Sequence, residues 1–194
     1  MTGEELLGVA RAVFLEHGYA GASMDEVARR AKISKASLYR EHPSKQELYA
    51  AVVSHWVAAG RGSMRPALER LVSASDIRTG LIELAETMRA GILSPPVLRM
   101  RRLVTGEALT QPDVAAMYLE ESWQTNIRNL AEALQEVSAH GHLRIHDAHA
   151  AAEQFTWLVI GAPLNAKLLT DEETAVSAPV DGAVDLFLAG YAAE

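Results

Sequence analysis

The chain contains no cysteine, which excludes disulfides and thiolate metal sites. It has no apolar run approaching the ~20 residues that a membrane-spanning helix needs. Met1 leads straight into Thr2-Gly3-Glu4-Glu5, without the basic segment and apolar core of a secretory leader, so the expected location is cytoplasmic. Alternating apolar and polar runs bounded by turn residues, the signature of strands, are also missing. No nucleophile motif, phosphate loop or convergent carboxylate pair stands out. Neither an enzyme nor a resident cofactor is expected.

What is present suits a helical globular protein. The chain has 194 residues, 49% hydrophobic and 22% charged, enough for one or two small domains. Its net charge of -7 is unevenly spread. Residues 1–49 carry seven basic and seven acidic side chains, so the remainder holds the whole excess of negative charge. Between Arg29 and Lys45 there are six basic residues against Glu41 alone. A local basic patch on an acidic body can hold phosphates while the body disfavours indiscriminate binding.

The helices announce themselves through caps. Thr2 and Glu5 have capping-box spacing, and Leu6, Ala10, Val13 and Phe14 give one apolar stripe before Gly18 stops the helix. Ser23-Met24-Asp25-Glu26 opens a second helix with Val27, Ala28 and Ala31 inward. Ser34 caps a third, Lys35 to about Glu41, ended by Pro43. Ser44-Lys45-Gln46-Glu47 opens a fourth. Three caps this close together give the geometry of a helix-turn-helix followed by a longer helix. Further helices are expected at Arg65–Val72, Asp76–Leu93 (stopped by Ser94-Pro95-Pro96), Val97–Leu109, Pro112–Val137, Asp147–Leu169 and Val180–Tyr191, with a polar loop over Thr170–Ala178.

Residues 10–49 resemble the DNA-binding domain of the TetR/AcrR family of bacterial transcription regulators. The resemblance rests on Phe14-Leu15-Glu16-His17-Gly18-Tyr19, Ser23-Met24-Asp25-Glu26-Val27-Ala28, Ile33-Ser34-Lys35-Ala36-Ser37-Leu38-Tyr39-Arg40 and Pro43-Ser44-Lys45-Gln46-Glu47-Leu48 in that order. It implies an all-α protein with a three-helix helix-turn-helix domain, residues 1–48, and a helical effector-binding and dimerisation domain, residues 49–194. The implied function is a homodimeric repressor released from a palindromic double-stranded DNA operator by a small-molecule effector. DNA contact is expected from Ser23, Ser34, Lys35, Ala36, Ser37, Tyr39, Arg40 and Lys45. Lys35 and Ser37 are placed to reach base edges, and Ser23 to present a capped helix N-terminus to a phosphate. The resemblance adds a phosphate contact by Tyr39 and another by Lys45. Four residues depart from the family pattern. Lys32 stands where the turn usually has glycine, Ala36 where glycine or proline is common, Glu41 where a phosphate-touching His or Tyr is usual, and His42 in place of an aromatic.

In the second domain Phe155, Val159, Ala162, Ala166 and Leu169 form one apolar stripe, and Trp157, Ile160, Leu164 and Leu168 another. Val180, Val184, Phe187, Leu188 and Tyr191 repeat the pattern. Helices apolar on two sides suggest a four-helix dimer interface. Met88, Met100, Met117, Tyr118, Trp123 and Trp157 are candidates for lining an adaptable effector cavity. The rival readings are a helical ligand-carrier or interaction protein that has lost DNA binding, and a metalloenzyme using His140, His142, His146 and His149.

Overall fold

A computed structural model of the chain describes residues 2–170 and 179–193. Among them are eleven α-helices: α1 Gly3–Gly21, α2 Met24–Ala31, α3 Lys35–Glu41, α4 Lys45–Gly60, α5 Arg65–Val72, α6 Ile77–Ile92, α7 Pro95–Gly106, α8 Pro112–Tyr118, α9 Thr125–Ala139, α10 Ala148–Leu169 and α11 Val180–Tyr191. The expected polar loop lies, after Thr170, outside the described residues. The described residues hold one isolated β-bridge, Leu143 with Ala192, and no helix among them is long and apolar enough to cross a membrane.

The capping signals set the early helix boundaries. Thr2 Oγ accepts from the Glu5 N–H at 3.2 Å while the Glu5 carboxylate accepts from the Thr2 N–H at 2.8 Å. Ser23, Ser34 and Ser44 accept from the N–H groups of Glu26, Ser37 and Glu47. Gly18, at φ 67°, breaks α1 and one further turn follows it. Two expectations fail for local reasons. Pro95 and Pro96 begin α7 instead of merely ending α6, since a helix's first turn needs no proline N–H. The single helix expected over 112–137 is interrupted by six π-helical residues, Leu119–Gln124.

The helices form two compact units, one of Met1–Arg61 with Arg99–Ser122 and the other of Gly62–Leu98 with Trp123–Glu194. In the first unit Phe14, Leu38, Leu48, Tyr49 and Met100 are fully buried. Tyr49 lies edge-on to Phe14 and Tyr19, at ring separations of 5.3 and 5.0 Å. The turn between α2 and α3 puts Lys32 in the left-handed region, φ 54° and ψ 38°. A side chain there costs about 1–2 kcal/mol, so Lys32→Gly is expected to raise stability by about 1 kcal/mol in denaturant unfolding.

In the second unit Leu71, Leu81, Leu84, Leu134, Phe155, Ile160 and Phe187 are buried. Pro163 sits inside α10 and offers no N–H to the carbonyl of Val159. The Arg89 Nε–H supplies the missing donor at 2.9 Å. The two-faced reading of α10 and α11 needs correction. Phe155, Val159, Ile160, Leu164, Val180, Val184 and Phe187 are all taken by this unit's own core. The large apolar side chains left exposed on α10 and α11 are Trp157, Leu158, Leu169 and Leu186.

Candidate nucleic-acid interface

Helices α2 and α3 are amphipathic with a sharp division. Val27, Ala28, Ala31 and Leu38 are buried, and Ile33 packs against the same core. Leu38 is the single buried residue of α3, so this seven-residue helix lies on the surface with its N-terminal turn outward. Lys35, Ala36, Tyr39 and Arg40 are exposed and Ser37 is half-buried. Ser34 Oγ takes the Ser37 N–H at 3.0 Å and donates its own hydroxyl to Ser37 Oγ at 2.9 Å. The first turn of α3 is thus capped and rigid before any ligand arrives. An exposed, rigid helix N-terminus carrying lysine, a small residue and a hydroxyl fits the width and chemistry of the DNA major groove.

The positive charge of this surface is already partly engaged. Glu26 accepts from Arg29 Nη2 at 2.7 Å and from Arg30 Nε at 2.5 Å, and Arg30 also reaches Glu16 at 2.6 Å. Lys35 Nζ donates to Asp25 at 2.5 Å. Lys45 Nζ donates to the carbonyls of Tyr19, Ala20 and Ala22. The net excess counted from sequence therefore overstates the charge offered to a polyanion. Glu41 is exposed and, among the described residues, forms no ion pair with Arg40 or Lys45. His42 ends α3, its N–H donating to the Leu38 carbonyl at 2.8 Å.

Hydrogen bonds first from Arg29 and then from Arg30 hold the Glu26 carboxyl at about 2, well below its ordinary 4.5. A depressed carboxyl stabilises the fold above its unfolded value and loses that contribution as pH falls through the folded value. The stability gap between the wild type and Glu26→Gln should therefore be widest above pH about 4.5 and close toward pH about 2. Urea unfolding across that window reads it. A gap independent of pH would detach the ion-pair network from the stability of α2.

The six effector candidates do not fall together. Met100, Met117 and Tyr118 belong to the core of the first unit. Met88 and Trp123 belong to the core of the second, and Trp157 is exposed there beside Trp123, ring centroids 5.5 Å apart. Among the described residues no three His, Asp or Glu side chains converge as a metal site would require, and His149 faces Glu153 at 3.8 Å. A surface groove on α10 and α11 is lined by Gln154, Trp157, Leu158, Leu186, Phe187 and Tyr191. Gly161 lets Trp157 lie close to α10, since a Cβ there would stand 3.1 Å from its ring. Asp25, Leu158 and Leu186 are the residues sequence reasoning missed. Asp25 lies ten residues from Lys35, a spacing with no periodic signal, and the two leucines were hidden among many apolar neighbours.

Comparison with known proteins matches two segments of the chain. Residues 6–52 match the family model for "Bacterial regulatory proteins, tetR family", and residues 79–193 match that for the "AefR-like transcriptional repressor, C-terminal domain". The chain is 35% identical over 112 residues to the transcriptional activator FasR of Mycolicibacterium smegmatis, covering 58% of this chain and 49% of FasR. It spans about half the length of the curated relatives it matches. A putative TetR-family regulator from Mesorhizobium loti superposes with a TM-score of 0.90 at 25% identity, covering 97% of this chain and 96% of that one. The flavonoid-responsive regulator FrrA superposes with a TM-score of 0.72 at 27% identity over the same shares of the two chains.

Proposed function

The chain belongs to the TetR family of transcriptional regulators, and from that premise we propose that it is a homodimeric DNA-binding repressor released from its operator by a small molecule. The observation that carries this reading is α3, a capped helix anchored by buried Leu38 that turns Lys35, Ala36 and Tyr39 to the outside. In the proposed complex Lys35 and Ser37 meet base edges and Ala36 gives a methyl contact. Tyr39, Arg40 and the capped N-terminus at Ser23 hold the backbone, with Ser34 keeping the first turn of α3 in shape. Two copies of α3 engage half-sites about 34–36 Å apart, or a multiple of that. The partner copy covers the groove of Trp157, Leu158 and Leu186 on α10 and α11.

Repression is supported by the AefR-like C-terminal match. FasR is described as an activator, so a promoter-reporter assay with and without the protein decides the sign. Effector responsiveness is supported by FrrA, described as flavonoid-responsive. Of the six effector candidates, Met88 and Trp123, both in the second unit, are the residues proposed to meet the effector. An effector acts only by binding more tightly to the state in which the recognition helices no longer fit DNA. Helix α4 is the proposed transmitter.

Selection of bound duplexes from a random pool tests the reading. The expected product is a palindrome whose half-sites are separated by about one turn of DNA or a multiple of it. Recovery of no enriched sequence would favour a carrier protein that no longer binds DNA.

A further inference from the structure

Lys45 opens α4, and its surroundings differ from those of a phosphate-seeking lysine. An ammonium has three N–H donors, and here three carbonyls accept them: Tyr19 at 2.9 Å, Ala20 at 3.2 Å and Ala22 at 3.1 Å. The same nitrogen lies 4.7 Å from the centre of the Tyr19 ring, a favourable place for a cation. The three carbonyls end the short turn after the Gly18 break, where helix C-terminal oxygens have no intrahelical donor. The side chain is half-buried. A phosphate could take this ammonium only by displacing one of the carbonyls.

What the ammonium joins gives it a purpose. On one side is the α1–α2 connection, which leads directly into Ser23, the cap of α2. On the other is Ser44, the cap of α4. Both caps present backbone N–H groups of the type that bind phosphate. We infer that Lys45 is a positioning residue, an ammonium strut that ties the α1–α2 connection, and with it the start of α2, to the start of α4 without itself touching DNA. The inference rests on the DNA-binding reading above and changes the role that family resemblance gives this lysine.

Salt dependence separates a strut from a phosphate ligand. Each phosphate neutralised by a cation contributes about 0.9 to the slope of log K against log salt. Lys45→Met keeps the stem over Tyr19 and removes the ammonium. Its affinity for the selected duplex is expected to fall about tenfold, the scale of one charged hydrogen-bonded group, with the wild-type slope retained. Lys45→Arg, whose planar fork does not reproduce three converging carbonyl contacts, should also bind weakly. Without DNA, hydrogen exchange at the amides of residues 21–24 should quicken in both variants. A slope shallower by about 0.9 per subunit, full rescue by arginine, or unchanged exchange would each overturn the strut. A wild type that selects no duplex would instead refute the DNA-binding reading, while the exchange measurement still decides the strut.

Discussion

Replacing Leu158 and Leu186 together by glutamate is expected to leave a folded monomer of 21.0 kDa and to weaken operator binding at least a hundredfold. Both leucines are exposed, 38% and 61%, on the same groove of α10 and α11. Surface positions of this kind tolerate polar substitution with little loss of fold stability. In a two-fold interface each glutamate would lose solvent and meet like charge from the partner copy. In the proposed dimer, loss of the partner removes the second half-site contact, and linked sites gain roughly 10²–10⁴ in avidity over single ones. Sedimentation velocity reads the mass and fluorescence anisotropy the affinity. A double variant that stays dimeric places the interface elsewhere. One that becomes monomeric and binds as well as the wild type contradicts the bivalent account of operator binding.

The second large effect concerns the Asp25–Lys35 pair. Lys35 sits on the first turn of α3 with its ammonium 2.5 Å from Asp25, both side chains exposed. Exposed pairs of this type contribute at most about 1 kcal/mol, so the pair opens at small cost when a better partner arrives. A guanine edge is such a partner for lysine and discriminates against the wrong base by about 1–3 kcal/mol. In the proposed complex Asp25 then stands beside the DNA with its charge uncovered, which penalises duplexes that offer Lys35 only phosphates. Lys35→Ala is therefore expected to lose about 10- to 100-fold of the preference for the selected duplex over random DNA. Asp25→Asn is expected to strengthen binding to random DNA several-fold and so narrow the same ratio from the other side. Competition anisotropy with both duplexes measures the two variants. Equal weakening on every sequence by Lys35→Ala would make that lysine a phosphate ligand instead of a base reader.

The fold was legible where local chemistry decides it. Serine caps three residues ahead of an acidic or hydroxyl residue located the starts of α2, α3 and α4. Arg65–Val72 and Val180–Tyr191 follow from apolar spacing with helix breakers at the ends. What failed either carried no decisive local mark or depended on partners distant in sequence. The Pro95-Pro96 pair reads equally as the end of one helix or the start of the next. The π-helical turn at Leu119–Gln124 has no compositional mark. On α10 the total apolar width was visible, but which residues face the core was not, since Phe155 packs on Phe187 of α11, a neighbour that periodicity does not name. At the candidate interface the residue types of α3 were readable from order and spacing. The electrostatic state of the patch was not, because Asp25, Glu16 and the three carbonyls around Lys45 approach it through the tertiary fold.

Affinity for the selected duplex and for a scrambled duplex of the same composition, measured between 50 and 200 mM salt, decides whether the exposed first turn of α3 reads a DNA sequence. A reading helix gives at least a thousandfold preference for the selected duplex, with both affinities falling steeply as salt rises. Equal affinities for the two duplexes across the whole salt range would contradict sequence reading by α3.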